Sequence, residues 1–455
     1  MTFDVIVIGS GQAGVPLASR LAAAGKRVLL AERADLGGTC VNTGCTPTKT
    51  MIASARAAHV ARTAGRLGVR AKQVEVDFAA VVDRKDAIVR RWREGVARRL
   101  QAERLTVVRG QARFVGERKV EVGGEVHSAQ TIVINVGARP LVPPIDGLTE
   151  APWLDNATVM QLRELPSHLL VLGGGYVGCE FGQMFRRFGS QVTIVDQVDH
   201  LMSREDPEIC SALEDVLRRE GIELALGTKT TRVSGRAGAI TLRLGAGSDV
   251  QGSHLLVAVG RRPNTDDLGC DKAGIALDPK GFVTADDEYR TSAQGVYAVG
   301  DVLGGPQFTH TSWDDHRLLF DLLLGRSRRN RRDRLIPYTA FTDPQVAGVG
   351  LTEKEARERG VPFETASMPF GDIARAGEVD ETAGLMKVLV DPKTERVLGA
   401  AIVGAEAGEL IHIFVAVMQA GASARAVVDA EFVHPTFAEG VQSLVMKLER
   451  FSLKA

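Results

Sequence analysis

Aromatic side chains are scarce: three tryptophans, four tyrosines and 16 phenylalanines in 455 residues. A surface built to stack nucleic-acid bases is therefore not expected. Charge of one sign is lacking too, with 56 Lys and Arg against 56 Asp and Glu. Neither a polyanion nor an anionic membrane is expected as a partner. No apolar run approaches the roughly 20 residues that span a bilayer. Met1 leads through Thr2-Phe3-Asp4 into an apolar strand without a basic leader or cleavage site, so a soluble, cytoplasmic protein is expected. Five cysteines do not make a secreted disulfide scaffold. What is plentiful is glycine, 49 residues, which suggests many tight strand-to-helix turns. A chain this long is expected to form two or three domains.

Phe3 to Ile8 is a continuous apolar run of the kind buried in a parallel sheet. It leads into Gly9-Ser10-Gly11-Gln12-Ala13-Gly14 and a helix with Val15, Ala18, Leu21 and Ala22 on one face, then a strand from Arg27 that ends at Glu32. The first glycine permits the tight turn, the second lets backbone approach a pyrophosphate, and the third packs helix on strand. The helix N-terminus offers free N–H groups to the phosphates, and the acid accepts hydrogen bonds from a ribose. The arrangement recurs as a strand from Leu169 to Leu172, Gly173-Gly174-Gly175-Tyr176-Val177-Gly178, a helix through Phe188, and a strand ending at Asp196. Glu32 lies 23 residues after Gly9, and Asp196 lies 23 after Gly173. One such motif is weak evidence; two in the same register predict two dinucleotide sites.

Between the two units the spacing predicts a helix from about Asp83 to Gln101, with Val89, Trp92, Val96 and Leu100 as its apolar stripe. Strands are expected around Leu105–Phe114, Thr131–Val136 and His254–Val259, and a helix near Pro207–Glu220. The arginine-rich stretch from Arg326 to Arg334 reads as a solvated linker, being short and free of aromatics. From Pro337 onward no further glycine fingerprint occurs, which suggests a third domain.

Soon after Glu32 come Cys40 and Cys45. A disulfide between them would close a very short loop and so constrain the unfolded chain little, which favours chemistry over stapling. Turnover would need reactive thiolates, which a helix N-terminus and nearby cations favour. Two small buried thiols, or a metal site, are the alternatives. No further cysteines at zinc-like spacing adjoin the pair, and His59 is remote in sequence, so no metal site is expected.

Gly38-Thr39-Cys40-Val41-Asn42-Thr43-Gly44-Cys45-Thr46-Pro47-Thr48-Lys49 resembles the active-site helix of the class I flavoprotein disulfide reductases, which include dihydrolipoamide dehydrogenase, glutathione reductase and mercuric reductase. The resemblance covers nearly the whole chain. It implies two Rossmann-like α/β domains, for FAD and NAD(P), and an α+β C-terminal dimerisation domain. The boundaries expected are 1–146 with 264–335 for FAD, 147–263 for NAD(P) and 336–455 for the interface. By this likeness Cys40 is the thiol that meets substrate and Cys45 the thiolate against the flavin. Lys49 sits near the flavin and pairs with Glu180, and Tyr176 covers the flavin until nicotinamide displaces it. Gly9, Gly11, Gly14, Glu32, Gly38, Thr39 and Lys49 are then FAD residues, and Gly173, Gly175, Tyr176, Gly178, Glu180 and Asp196 NAD(P) residues. Ile134-Asn135-Val136-Gly137 and Ala258-Val259-Gly260-Arg261-Arg262-Pro263 resemble the family's crossings between domains, bringing Gly137 and Gly260 into the two sites. Gly295-Val296-Tyr297-Ala298-Val299-Gly300-Asp301 resembles its second FAD fingerprint, with Asp301 on the ribityl chain, and Ala112 and Thr309 occupy positions that line FAD in relatives.

Near the C-terminus stands His434-Pro435-Thr436-Phe437-Ala438-Glu439. Dithiol–disulfide exchange releases a thiolate that needs a proton, and imidazole is suited to supply it. Pro435 is expected to begin a helix, with Glu439 in its early turns holding the ring. The segment resembles the family's His-Pro…Glu dyad, which in relatives reaches the cysteine pair of the other subunit; this implies a homodimer with shared active sites. Mercuric reductases end in a second cysteine pair where this chain reads Phe451-Ser452-Leu453-Lys454-Ala455, and they lack a histidine at the position of His434. Dihydrolipoamide dehydrogenases usually carry a histidine where this chain has Phe432, and Phe308-Thr309-His310-Thr311-Ser312-Trp313-Asp314-Asp315 also differs from theirs. The likeness is strongest to a mercuric-reductase-like subgroup. An acceptor that is a disulfide, a metal ion or a quinone is expected, or the reverse oxidation of a dithiol by NAD⁺; a flavin-binding redox sensor without turnover is the alternative of a different kind. Asp196, followed by Gln197, Val198, Asp199 and His200 without an adjoining arginine, favours NADH over NADPH.

Overall fold

The computed structural model describes residues 2–245, 247–326 and 329–452. Met1, Ala246, Ser327 and Arg328 of the arginine-rich stretch, and the terminal Leu453-Lys454-Ala455 lie outside the described residues. The chain folds as two compact units. The first comprises Met1–Thr50, Ala80–Leu141 and Gly260–Arg334, and the second Met51–Ala79, Val142–Val259 and Leu335–Ala455.

In the first unit the apolar strand Thr2–Ile8 lies inside a seven-stranded sheet, between Val28–Glu32 and Glu125–Ile134, and is parallel to both. Leu105–Arg109 extends the sheet on one side; the antiparallel strands Lys119–Val122 and Arg113–Gly116 extend it on the other, and Val296–Ala298 pairs with Ile132–Ile134. The region expected as one strand over Leu105–Phe114 is two strands, separated at Gly110, whose φ of +144° breaks the extended run. The helix Gly14–Ala23 buries Val15, Leu17, Ala18, Leu21 and Ala22 on this sheet, so the apolar face read from the sequence is the packed one.

The helix between the two nucleotide-binding segments runs over Phe78–Arg99. Val82, Val89, Val96 and Leu100 are buried, but Trp92 is 51% exposed. At 100° per residue, positions 82, 96 and 100 fall within about 20° of position 89, whereas 92 falls about 60° to the side. Trp92 therefore belongs to the flank of the stripe and not to the stripe.

The second unit contains the duplicate. His168–Leu172 pairs in parallel with Gln191–Val195 and His254–Val257 in a five-stranded sheet completed by Glu223–Ala225 and Trp153–Leu154. The helix Tyr176–Phe188 follows the glycine turn, as Gly14–Ala23 does in the first unit. C-terminal to this lies a five-stranded antiparallel sheet in the order Tyr338–Ala340, Gln345–Gly350, Val397–Gly404, Leu385–Val390, Glu364–Pro369. Its core, including Phe370, Met386, Ile402, Ile411, Phe414 and Leu444, is closed by the helices Ala407–Gln419 and Glu439–Met446. Among the described residues no helix is long and apolar enough to cross a membrane.

Candidate active site

The two glycine turns are built alike to the level of single atoms. Gly9 and Gly173 have φ of +103° and +111°; a Cβ there would lie 2.3 Å from the Asn135 carbonyl oxygen and 2.6 Å from that of Ala258. A Cβ on Gly14 or Gly178 would lie 2.1 Å or 1.9 Å from the carbonyl oxygen of the first glycine of its own turn. The acids match as well. Glu32 accepts from the Ser10 amide at 2.9 Å and the Ala34 amide at 2.8 Å, and Asp196 from the Gly174 amide at 2.6 Å and the Val198 amide at 3.2 Å. Each carboxylate is thus fixed to its own turn, with lone pairs left for a ribose. Space around Gly175 is open to 4 Å, so nothing blocks a phosphate from its backbone.

FAD fits the first unit. A side chain at Gly9 or Gly14 would fill the cradle, and two buried atoms beside the second fingerprint, Arg261 Nε and Thr311 Oγ1, have no hydrogen-bond partner among the described residues. Asp301 opens the short turn Gly300–Leu303, with Arg261 Nε 3.9 Å from its carboxylate. Burial raises the Asp301 pKa, against the pull of Arg261. Gly137 and Gly260 flank the antiparallel pair Ala138–Pro140 and Arg261–Pro263, both at positive φ with open space where a Cβ would stand. Ala112 is buried in the sheet's core and Thr39 is exposed.

Cys40 lies in the five-residue helix Gly38–Asn42, and Cys45 begins the 19-residue helix Cys45–Thr63. Asn42 closes the loop by donating to the Gly38 carbonyl at 2.9 Å and the Leu36 carbonyl at 3.1 Å. A Cβ on Gly38 would lie 2.7 Å from Gly11 Cα, so the cysteine loop rests directly on the first glycine turn. Both cysteines are half-buried thiols, and their side chains hydrogen-bond to each other. That bond, then burial, then the charge of Cys45 hold the Cys40 proton far above the usual thiol range; Thr309 and Lys49 pull the other way. Two thiols this close lose their protons one after the other. Cys45 has the position that favours a thiolate, the first turn of a long helix. Its Sγ is 3.0 Å from Thr309 Oγ1. Lys49 follows one turn later on the same face.

In the second unit His434 Nδ1 is 2.8 Å from Glu439 Oε2, and the imidazole is 70% exposed. The helix here starts at Glu439, four residues after Pro435, so Glu439 is its first residue. Thr436 explains the delay: its hydroxyl donates to the Val433 carbonyl at 2.7 Å and accepts the Glu439 amide at 3.3 Å, forming a turn before the helix. Tyr176 is part-exposed at the start of its helix; Glu180, one turn on, is buried and accepts the Phe341 amide at 2.8 Å. Lys49 and Glu180 fall in different units. Cys179, Cys210 and Cys270 are buried, and burial pushes the latter two up to about 12 and about 11 and raises Cys179 further, so these thiols are inert.

Sequence reasoning missed three groups. Ser10 ties Glu32 to the turn through its hydroxyl, at 2.6 Å. Asn135 donates to the Gly9 carbonyl at 3.1 Å, and its own Asn-Val-Gly context was the available signal. The third is Asp315, which no local pattern marks.

Two dinucleotide turns, a paired thiol at a helix N-terminus and an imidazole–carboxylate dyad define a pyridine nucleotide-linked flavin redox enzyme. Comparison with known proteins agrees. Residues 3–315 match the model of the pyridine nucleotide-disulphide oxidoreductases, and residues 336–445 that of their dimerisation domain. The chain is 36% identical over 452 residues to the probable pyridine nucleotide-disulfide oxidoreductase RclA of Escherichia coli, covering 97% of this chain and 98% of RclA. It is 35% identical over 457 residues to a dihydrolipoyl dehydrogenase of Thermus scotoductus, covering 99% and 98%. The solved Cu(II) complex of the HOCl-induced flavoprotein disulfide reductase RclA from Escherichia coli superimposes with a TM-score of 0.90 at 36% identity, covering 98% of this chain and 99% of that one. The chain belongs to the pyridine nucleotide-disulphide oxidoreductase family. It is an FAD-dependent, NAD(P)H-linked oxidoreductase that forms a homodimer.

Proposed function

We propose that this enzyme reduces a small disulfide through Cys40 and Cys45, with the substrate's sulfur meeting Cys40. Bound FAD supplies the electron relay from NAD(P)H to sulfur. Gly9, Gly11, Gly14, Glu32 and Asp301 hold it, and Gly173, Gly175, Gly178 and Asp196 hold the nicotinamide nucleotide. With the pair reduced, Cys40 gives its proton to His434 and its sulfur attacks the acceptor disulfide, forming a mixed disulfide and releasing one thiolate. Cys45 then attacks Cys40, closing the Cys40–Cys45 bond and expelling the second thiolate. His434, oriented by Glu439 and contributed by the other subunit, gives its proton to the leaving sulfur. Thr309 and Lys49 ease the loss of the Cys40 proton, and Cys45 stands in the first turn of its helix, where a thiolate is favoured. The observation that carries this reading is the pair of part-buried thiols on one short loop, Cys45 opening a long helix with its Sγ 3.0 Å from Thr309 Oγ1.

A second reading is reduction of a thiophilic metal ion. Two adjacent thiols are soft ligands for such an ion, and the Escherichia coli relative has been solved as a Cu(II) complex. One experiment separates the readings: NADH oxidation driven by disulfides, Cu(II), Hg(II) and quinones, for wild type and Cys40→Ser. Disulfide-dependent turnover is expected in wild type and to fall by about 10³-fold or more in the variant. Quinone turnover that survives the substitution reports electrons leaving the flavin directly. Wild type that turns over on metal ions and on none of the disulfides would replace the first reading with the second.

A further inference from the structure

Arg334 closes the arginine-rich stretch, yet its side chain is only 6% exposed and lies 2.7 Å from the carboxylate of Asp315, itself 3% exposed. Asp315 collects two further donors, the Gly300 amide at 2.7 Å and the Tyr289 hydroxyl at 2.8 Å. Three separate stretches of the first unit thus converge on one buried carboxylate carried by a fourth. Gly300 is the residue before Asp301; its φ of +76° suits glycine, and a Cβ there would lie 3.0 Å from Ser312 Oγ. The helix Thr309–Leu323 contributes at every third position: Thr309 to the Cys45 sulfur, Ser312 to the Asp301 carboxylate, Asp315 to the Gly300 amide. The same helix therefore sets the redox thiol and the flavin-holding turn in one frame.

The charges explain why the frame needs Arg334. Asp301 and Asp315 stand close enough that Asp315 raises the Asp301 pKa, and FAD adds an anionic diphosphate. Arg261 faces Asp301, and Arg334 faces Asp315. Around them, Arg331 acts on Tyr289, and Asp314 is taken by Arg317 and Arg329 at 3.1 Å each, leaving Arg334 as the cation bonded to Asp315 among the described residues. A buried carboxylate without its partner pays heavily in desolvation.

We propose that Asp315 and Arg334 are positioning residues for the flavin: Asp315 locks the Gly300–Asp301 turn onto the helix that bears Thr309, and Arg334 neutralises it. This rests on the FAD assignment and is independent of the acceptor. The test is the rate at which the full-length holoenzyme releases FAD on dilution, followed by recovery of free flavin fluorescence. Arg334→Met is expected to release FAD at least tenfold faster than wild type, and Arg334→Lys to lie between them. Arg334→Met combined with Asp315→Asn, which removes both charges, is expected to return to within threefold of wild type; a merely structural role for Arg334 gives no such rescue. Asp315→Asn alone turns an amide NH₂ towards one of three donors and is expected to speed release threefold or more, which keeps the inference testable if Arg334→Met does not fold. Wild-type release rates in Arg334→Met or in Asp315→Asn, or a double variant no slower than Arg334→Met, overturn it. Wild-type protein that carries no flavin would remove the FAD assignment itself.

Discussion

Asp196 illustrates how much one side chain decides. Its two oxygens are held by the Gly174 and Val198 amides, so the carboxylate cannot swing away from an incoming ribose. A 2′-hydroxyl can donate to it, whereas a 2′-phosphate meets a fixed negative charge. The kcat/KM for NADH is expected to exceed that for NADPH by about tenfold or more, and Asp196→Asn to narrow the gap. A clear NADPH advantage in wild type would refute this. At the same scale, Cys40 and Cys45 differ through their surroundings alone. One lies inside a five-residue helix; the other begins a long helix and touches a hydroxyl.

Among elements, the connection after Asp196 is the most heavily tethered. Glu205, just before the helix Pro207–Arg219, is buried and accepts from the Tyr338 hydroxyl at 2.5 Å. Asp206 accepts the Glu353 and Lys354 amides at 3.1 Å and 3.2 Å and lies 2.9 Å from Lys387 Nζ, which also reaches Glu353 at 2.7 Å and Glu208. The nucleotide-binding sheet and the C-terminal sheet are thus pinned through one short segment. Burial pushes Glu205 from 4.5 up to about 7, with Asp206 and Glu355 adding and the Tyr338 bond opposing. For an acid raised in the folded state, the proton-linked stability is fully present below the unfolded value near 4.5 and is lost as pH rises through about 7. Glu205→Gln keeps the acceptor and removes the charge. It is expected to raise Tm at pH 8, by at most roughly 3 kcal/mol of stability, and to leave it unchanged at pH 5. Equal Tm differences at both pH values would count against the burial of this charge.

For the molecule as a whole, the proposal that His434 serves the cysteine pair of the other subunit is tested on mixed dimers. Cys40→Ser and His434→Ala subunits are each expected to be inactive as homodimers. Co-expressed, half the dimers are mixed, and each mixed dimer has one site with both residues intact. About one quarter of wild-type activity is then expected. No recovery on mixing would place both residues of a site in one subunit. The C-terminal sheet packs a self-contained core around Phe370 and Phe414, which provides a rigid base for the turn that carries His434.

The amino-acid order alone determined whatever rests on local backbone geometry. Glycines at 9, 14, 173 and 178 are demanded by carbonyl oxygens of their own or a paired strand, and the acids 23 residues on are fixed by the rise of strand and helix. The cysteine loop was legible for the same reason, being a closed local turn tied by Asn42. Other features were settled only by tertiary structure. Trp92 reads as core but lies on the flank of its helix, because a period of 3.6 tolerates a residue at the edge of the stripe. The start of the last long helix moved to Glu439 because a threonine side chain competes for the backbone. Arg334 reads as one more solvated arginine, yet its side chain is buried, because its partner Asp315 lies 19 residues away on a helix and also accepts the amide of Gly300, just before Asp301. Charge pairing across such distances leaves no period in the chain; only the fold brings the two ions together and takes water from them.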